Sequence, residues 1–201
     1  MNLLSNASQR MVSMTRLLLV LLLLVGCGGP STPAAREPLT ARRLYPLQRG
    51  LVWSYNVDTG LGEPPTLAIS QVVTAEGDRF EVQNNRSEAV VYERRPEGIY
   101  RPASGTWLLR DPIEVGAHWE APGGRTARIT SVDERVATPS QQFDECVRVE
   151  EVGGEDGRVI ATVYCPDVGP VLVESRMRAA LTGRDATVRA LLLGYGSTDP
   201  G

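Results

Sequence analysis

Apolar residues follow two different rhythms along this chain. Residues 17–25 form an unbroken apolar run, LLLVLLLLV, whereas from Tyr45 onward apolar and polar positions alternate with a period of two and turn residues recur. A period of two marks extended backbone, because successive side chains on a strand point to opposite faces. Leu51, Trp53, Tyr55 and Val57 alternate with Val52, Ser54 and Asn56, which puts one large apolar series on a single face, and Leu67, Ile69 and Val73 repeat the pattern. Further strands are predicted over residues 79–84, 89–94, 126–132, 146–152, 159–165, 171–177 and 188–195. Beyond residue 40 the nearest approach to an amphipathic helix is residues 181–193, which is interrupted by Gly183 and ends in LLLGY. The pattern predicts an all-β domain, an antiparallel sandwich or open barrel.

The apolar run has a different meaning. Arg10 and Arg16 precede it and no acidic residue occurs before Cys27, the arrangement of a secretory signal with a charged start and a short apolar centre. Nine residues rise about 14 Å as a helix against a hydrocarbon core of about 30 Å, so a permanent span is not expected. Leu24, Val25, Gly26 and Cys27 resemble the bacterial lipobox, in which small residues fit the lipoprotein signal peptidase and the cysteine thiol takes a diacylglycerol. Residues 1–26 are therefore read as a lipoprotein signal peptide, with Met11 and Met14 as alternative starts, and Cys27 as the acylated first residue of the mature chain. Anchoring by two or more acyl chains is stable where one is marginal, so the expected partner is a lipid bilayer. Gly28 rather than Asp after the cysteine implies the outer membrane, facing the periplasm. Residues 27–43, rich in Gly, Pro, Ser and Ala up to Thr40, read as the lipidated N-terminus and a flexible tether. Residues 44–196 then form a single β-rich domain and residues 197–201 a disordered tail.

Composition narrows the function. Of the 201 residues roughly 160 remain for folding, which suits one domain with its own core. All 21 basic residues are arginines; two precede Cys27, leaving 19 against 24 acids, a balance of −5 for the mature chain. A nucleic-acid partner is not expected, since phosphate neutralisation needs a concentrated cationic face. Catalysis by lysine is excluded.

One segment echoes another. Pro46, Leu47, Gly50 and Trp53 recur as Pro112, Ile113, Gly116 and Trp119 at identical spacing, 66 residues apart. Such a stretch lets Pro start a bend, Gly take a backbone angle other residues resist, and Trp open the next strand facing inward. As a function, the two tryptophans would clamp a ligand; as structure, they anchor two pseudo-equivalent halves of one sheet system, and the second reading is preferred.

The remaining cysteines constrain the register. If the hairpin around Glu155 and Asp156 folds symmetrically, the numbers of facing residues sum to 311, and Cys146 sits opposite Cys165. Facing Cβ atoms of an antiparallel pair lie about 4.5–5.5 Å apart, near bridging distance, so a disulfide is expected. In that register Val147 faces Tyr164 and Val149 faces Thr162 on the core side. Two thiols and a distant histidine are too few soft ligands for a metal.

Together these segments resemble a family of bacterial envelope lipoproteins of unknown function, abundant in myxobacteria and other deltaproteobacteria. Its members similarly carry YPLxxGxxWxY, here Tyr45 to Tyr55; PIxVGxxW, here Pro112 to Trp119; TPxGxFxxCVxVE, here Thr138 to Glu150 with Gln141 in place of the usual glycine; and YCPDVGPVLxE, here Tyr164 to Glu174. The resemblance spans residues 45–195 and implies a curved antiparallel sheet, an open half-barrel similar to the LolA/LolB lipoprotein carriers and to TapB-type proteins. It implies no catalytic residue and no cofactor.

Candidate chemistry is sparse. His118, the only histidine, directly precedes the inward Trp119 and so is expected on the outer surface. No nucleophile elbow, zinc-protease helix or phosphate loop occurs. The acidic doublets at 133–134, 144–145, 150–151 and 155–156 lack alternating oxygen ligands, and neighbours on a strand face opposite ways, so solvated hairpin ends are expected rather than a calcium site or a glycosidase pair. Arg42 and Arg43 could touch lipid headgroups. The sequence therefore points to a non-enzymatic scaffold or binding module of the envelope, recognising an envelope protein or another component. The first alternative is a carrier of lipid or another apolar ligand in a half-barrel cavity, and the second a hydrolase with His118 as its base.

Overall fold

The computed structural model describes residues 37–178 and 185–198, so the signal, the lipobox residues Leu24, Val25 and Gly26, the lipidation site Cys27 and residues 199–201 lie outside the described residues. The described chain is almost wholly extended. Its strands are β1 (Leu51–Asp58), β2 (Thr66–Glu76), β3 (Arg79–Asn84), β4 (Val90–Arg95), β5 (Gly98–Arg101), β6 (Thr106–Arg110), β7 (His118–Ala121), β8 (Arg125–Ala137), β9 (Gln142–Gly153), β10 (Val159–Cys165), β11 (Gly169–Arg178) and β12 (Asp185–Ser197). All lie in one antiparallel sheet of twelve strands, in the order β6-β5-β4-β3-β2-β1-β12-β11-β10-β9-β8-β7. Because β1 pairs with β12 and β6 touches β7, each strand lies beside its sequence neighbours, and the sheet curls into a nearly closed up-and-down barrel. The one break in the ladder is between β6 and β7. There the Trp119 indole N–H donates to the carbonyl of Trp107, 3.1 Å away.

The repeated Pro/Gly/Trp segment marks the first strand of each six-stranded half. Gly50 and Gly116 adopt φ values of +76° and +93°, the left-handed region that glycine enters without steric cost. Trp53 and Trp119, carried by β1 and β7, are buried.

The alternation of β1 puts Trp53, Tyr55 and Val57 inside. Leu67 and Ile69 share a face as expected, but it is the outer one, where they are 63% and 42% exposed, and Val73 falls at a bulge. The inward positions of β2 are instead Ala68, Ser70 and Val72; Ala68 and Ser70 face Tyr55 and Trp53 across the β1–β2 ladder, where large rings leave room only for small partners.

Two boundaries differ from the sequence reading. Residues 41–43 are expected in the tether, yet Ala41–Leu44 is a single helical turn, α1, capped by the Thr40 hydroxyl, with Ala41 and Leu44 fully buried. It contacts both β5 and β11, which are six places apart in the sheet, and so plugs the barrel. Asp111 accepts the Ala41 N–H at 2.9 Å and Arg43 pairs with Asp167, which fastens the plug at both sides. Composition misled here because four residues are too few for a period to show. At the other end, Ser197, assigned to the disordered tail, belongs to β12, and Thr198 donates its N–H to the Gly50 carbonyl.

Cys146 and Cys165 form a disulfide, with Cα atoms 4.2 Å apart. The β9–β10 ladder runs Tyr164 opposite Val147, Thr162 opposite Val149 and Ile160 opposite Glu151, the symmetric register around Glu155 and Asp156. Around the disulfide, β8 and β9 are bulged three times, and the ring of Phe143 reaches Tyr195 of β12 at 6.4 Å. The hairpin tip therefore folds back across the outer face of β10 and β11, where Val163 and Leu172 are buried beneath it. Arg148 and Arg189 flank Glu174 on that face and Arg148 also binds Glu134 at 2.8 Å.

Candidate functional site

The barrel is not filled to its mouth. Below, Trp53, Leu44, Leu47, Ile99 and Leu192 pack solid. Above them a cleft of about 370 Å³ remains.

Its walls follow from strand parity. Tyr55 lies two residues beyond Trp53 on β1, Tyr92 faces Phe80 across the β3–β4 ladder, and Tyr164 opposes Val147, so each ring points inward. Tyr45 follows the plug directly and closes the cleft from beneath. Its ring stacks on Trp53 at 5.6 Å and meets Tyr92 and Tyr164 edge-on at 5.7 and 6.4 Å, so plug, β1, β4 and β10 share one aromatic cluster. Four of the six tyrosines in the chain are thus gathered here. Leu108, Ile160, Val173 and Ala190 give apolar wall; Ser70, Asn84 and Thr162 give neutral polar groups.

Two arginines and one carboxylate complete the lining. Arg125 on β8 donates to Glu151 at 3.2 Å, both side chains 15% exposed, and approaches Asp156 at 3.7 Å. Arg101 on β5 has no such partner: among the described residues no carboxylate lies within ion-pair distance, its Nε is buried without a hydrogen bond, and its guanidinium stands 5.5 Å over the Tyr92 ring. Burial opposes the charge on Arg101, the Glu151 carboxylate favours it, and the guanidinium is held charged. A buried donor left unsatisfied costs about 1–3 kcal/mol, which fixed oxygen acceptors would recover.

Three of these phenols are donors at any ordinary pH. Burial pushes the hydroxyls of Tyr45, Tyr55 and Tyr164 well above the usual phenol range, so they stay neutral. Tyr55 donates its proton to the Pro170 carbonyl at 2.9 Å. The hydroxyls of Tyr45 and Tyr92 make no hydrogen bond among the described residues. The arrangement has convergent donors, one unmatched positive charge and apolar flanks, the ingredients of a small-molecule site.

No protein-family model matches this chain, and no curated protein matches it. Among solved structures it is similar to a Bacteroides fragilis protein described as exported and of YmcC-like fold, at 12% identity and a TM-score of 0.45 over 76% of this chain and 98% of that one. It is also similar to a chain from Parabacteroides distasonis described as a lipoprotein, at 14% identity and a TM-score of 0.40 over 80% of this chain and all of that one. Likenesses this distant carry no inference about function.

The residues singled out in the sequence are placed elsewhere. Trp53 and Trp119 form no clamp: the Trp53 indole N–H donates to the Val168 carbonyl at 2.6 Å, that of Trp119 crosses the seam, and both rings sit in the packed core. Pro46, Gly50, Pro112 and Gly116 shape the entries to β1 and β7. The disulfide ties β9 to β10 away from the cleft lining. His118 is exposed, its Nδ1 3.3 Å from the Gly116 carbonyl. Of the acidic doublets, Glu150 and Glu151 do face opposite ways, but Glu151 is not at a solvated hairpin end; it is the cleft carboxylate.

The sequence pattern points neither to Arg101 nor to a cleft role for Glu151. Tyr45 and Tyr55 belong to the YPLxxGxxWxY segment and Tyr164 to the YCPDVGPVLxE segment, but nothing in the pattern makes them converge. The available signal for Arg101 was its position two residues after an inward Ile99. It depended on recognising a four-residue strand that is too short to display an alternation.

A second cleft of about 370 Å³ lies beside the plug and is lined by Arg42, Arg94, Arg95, Asp78 and Asp111. Its charges are largely matched. Arg94 bonds the Leu47 carbonyl at 2.8 Å with Asp78 at 4.0 Å, and Arg95 pairs with Glu93 at 2.6 Å while stacking on Tyr100.

Proposed function

We propose that this chain is a lipid-anchored lipoprotein of the bacterial cell envelope, held in the outer membrane through acylated Cys27, and that its barrel is a non-enzymatic binding module. The reading of the anchor rests on the charged start, the nine-residue apolar run and the lipobox-like Leu24-Val25-Gly26-Cys27. Among the described residues no helix is long and apolar enough to cross a membrane, which is compatible with an anchor made of lipid. The reading of the module rests on one observation: a barrel packed solid at its plugged end keeps a cleft of about 370 Å³ lined by four tyrosines and an unmatched arginine. The lining includes Glu151, but no base placed beside a nucleophile, and His118 is not part of it. Binding accounts for such a lining more simply than hydrolysis.

The alternative of a carrier for wholly apolar cargo fits less well, because a guanidinium and several hydroxyls would be buried against hydrocarbon at a cost. Two measurements test the reading. A Cys27→Ala chain should leave the membrane fraction, and retention equal to the parent would end the lipoprotein assignment. Native mass spectrometry of protein released from membranes should show a co-purifying small molecule that Tyr92→Ala loses. A bare mass throughout, for parent and variant alike, would refute the binding module.

A further inference from the structure

We infer that the cleft takes a monoanionic carboxylate joined to an apolar body, with Arg101 as its counter-ion; this rests on the binding-module reading above. Charge decides the head group. The lining holds two guanidiniums, Arg101 and Arg125, and one carboxylate, Glu151, which Arg125 binds at 3.2 Å, so Arg101 contributes the unmatched positive charge; Asp156, outside the lining, is shared by Arg125 and Arg158. A dianion such as a phosphate monoester would overshoot that single charge and meet the Glu151 carboxylate in the same space. A neutral alcohol would leave Arg101 unpaired. One carboxylate balances it, and the planar guanidinium fork matches a carboxylate with two parallel hydrogen bonds.

The neighbours of Arg101 supply the rest of the head-group site. The Tyr92 ring lies under the guanidinium at 5.5 Å, within cation–π range. The hydroxyls of Tyr45 and Tyr92, both in the lining, can donate to the second oxygen. The body of the ligand has Leu108, Ile160, Val173 and Ala190 to lie against, and these strands lead from Tyr164 toward the ends of β10, β11 and β12. A volume of about 370 Å³ is at the lower end of small-molecule sites, which suits one chain or one ring system and excludes a diacyl lipid.

The test is calorimetric titration of the full lipidated chain, extracted from membranes and held in amphipol, with octanoate, octanol and octyl phosphate, each corrected against empty amphipol. Octanoate should bind at least tenfold more tightly than either of the others. Arg101→Gln should weaken octanoate at least tenfold while leaving octanol within twofold, and Arg101→Lys, which keeps the charge without the fork, should recover part of the loss. Lowering the pH until octanoate is protonated should erase its advantage in the unaltered protein, a readout independent of whether any variant folds. Octanol binding as well as octanoate would overturn the carboxylate assignment and keep the binding module. Preference for octyl phosphate would overturn the monoanion. No binding of any of the three would overturn the carboxylate assignment, while the binding module is decided separately by the co-purifying mass.

Discussion

At the scale of single residues, Gly169 couples a strained backbone angle to the largest core side chain. Its φ is +107°, and a Cβ there would lie 2.9 Å from the Trp53 Nε1, the atom that donates to the Val168 carbonyl. Gly169→Ala therefore adds backbone strain and also pushes the largest core side chain off its hydrogen bond, and should cost about 3 kcal/mol in denaturant unfolding. Gly116→Ala separates the two effects: φ is +93° but a Cβ would meet nothing within 4 Å, so about 1 kcal/mol is expected. Equal losses for both would mean that Trp53 yields freely. Asp111 makes a second residue-scale prediction, with a sign. Burial raises its carboxyl above the usual range, although the Ala41 N–H it accepts works the other way. A folded-state value above the unfolded one, about 3.9, means that stability present in acid is lost as pH rises through the folded value. Asp111→Asn keeps an acceptor for Ala41 and removes that loss. Its melting temperature should match the parent near pH 3 and exceed it by a few degrees at pH 7; a gap independent of pH would exclude ionisation as the cause.

At the scale of elements, legibility in the sequence tracked length. The residues of β3 and β10 were readable to their ends, and the body of every strand of six residues or more was visible, because a period of two needs several repeats to stand out. The short strands β5 and β6, the outer placement of Leu67 and Ile69, and the α1 plug were not readable, since each is decided by what packs opposite rather than by local pattern. The same division explains the site. The disulfide followed from one hairpin register, whereas the cleft gathers side chains from the plug and from strands on both halves, a convergence that no local period encodes. The disulfide closes a loop of nineteen residue steps across β9 and β10 and should contribute about 3 kcal/mol by loop-closure entropy. Both sulfur-bearing residues are buried, so thiol labelling should be negligible in the native protein and appear only after reduction under denaturing conditions. Unfolding midpoints of the Cys146→Ala/Cys165→Ala protein should fall accordingly while β8 to β11 keep their pairing. Two reactive thiols in the unreduced, denatured protein would remove the bridge.

At the scale of the whole molecule, the up-and-down topology makes one seam the weak place. Each strand pair except β6 and β7 is held by a ladder, and β6 and β7 are short strands of five and four residues. What crosses between them includes the Trp119 indole, whose N–H reaches the Trp107 carbonyl at 3.1 Å. The Trp53 indole occupies the equivalent position in the other half but sits between fully paired strands, so the two otherwise repeated tryptophans should behave differently. Trp119→Phe keeps most of the buried ring and deletes the donor, leaving one carbonyl unpaired, which corresponds to about 1 kcal/mol and a shift of a few degrees in melting temperature. Its signature should be local: hydrogen exchange should accelerate at the amides of β6 and β7 and stay unchanged in β9 to β12, because an unlatched seam opens without unfolding the ladders. Trp53→Phe, which loses the 2.6 Å bond to Val168 from the packed centre, should instead lower protection throughout. The seam also bears on ligand entry, since Leu108 on β6 and Arg101 on β5 belong to the same edge as the cleft wall. If opening at the seam admits the ligand, Trp119→Phe should speed octanoate association and release together and leave the affinity within twofold, whereas a change in affinity alone would tie Trp119 to the cleft rather than to the latch.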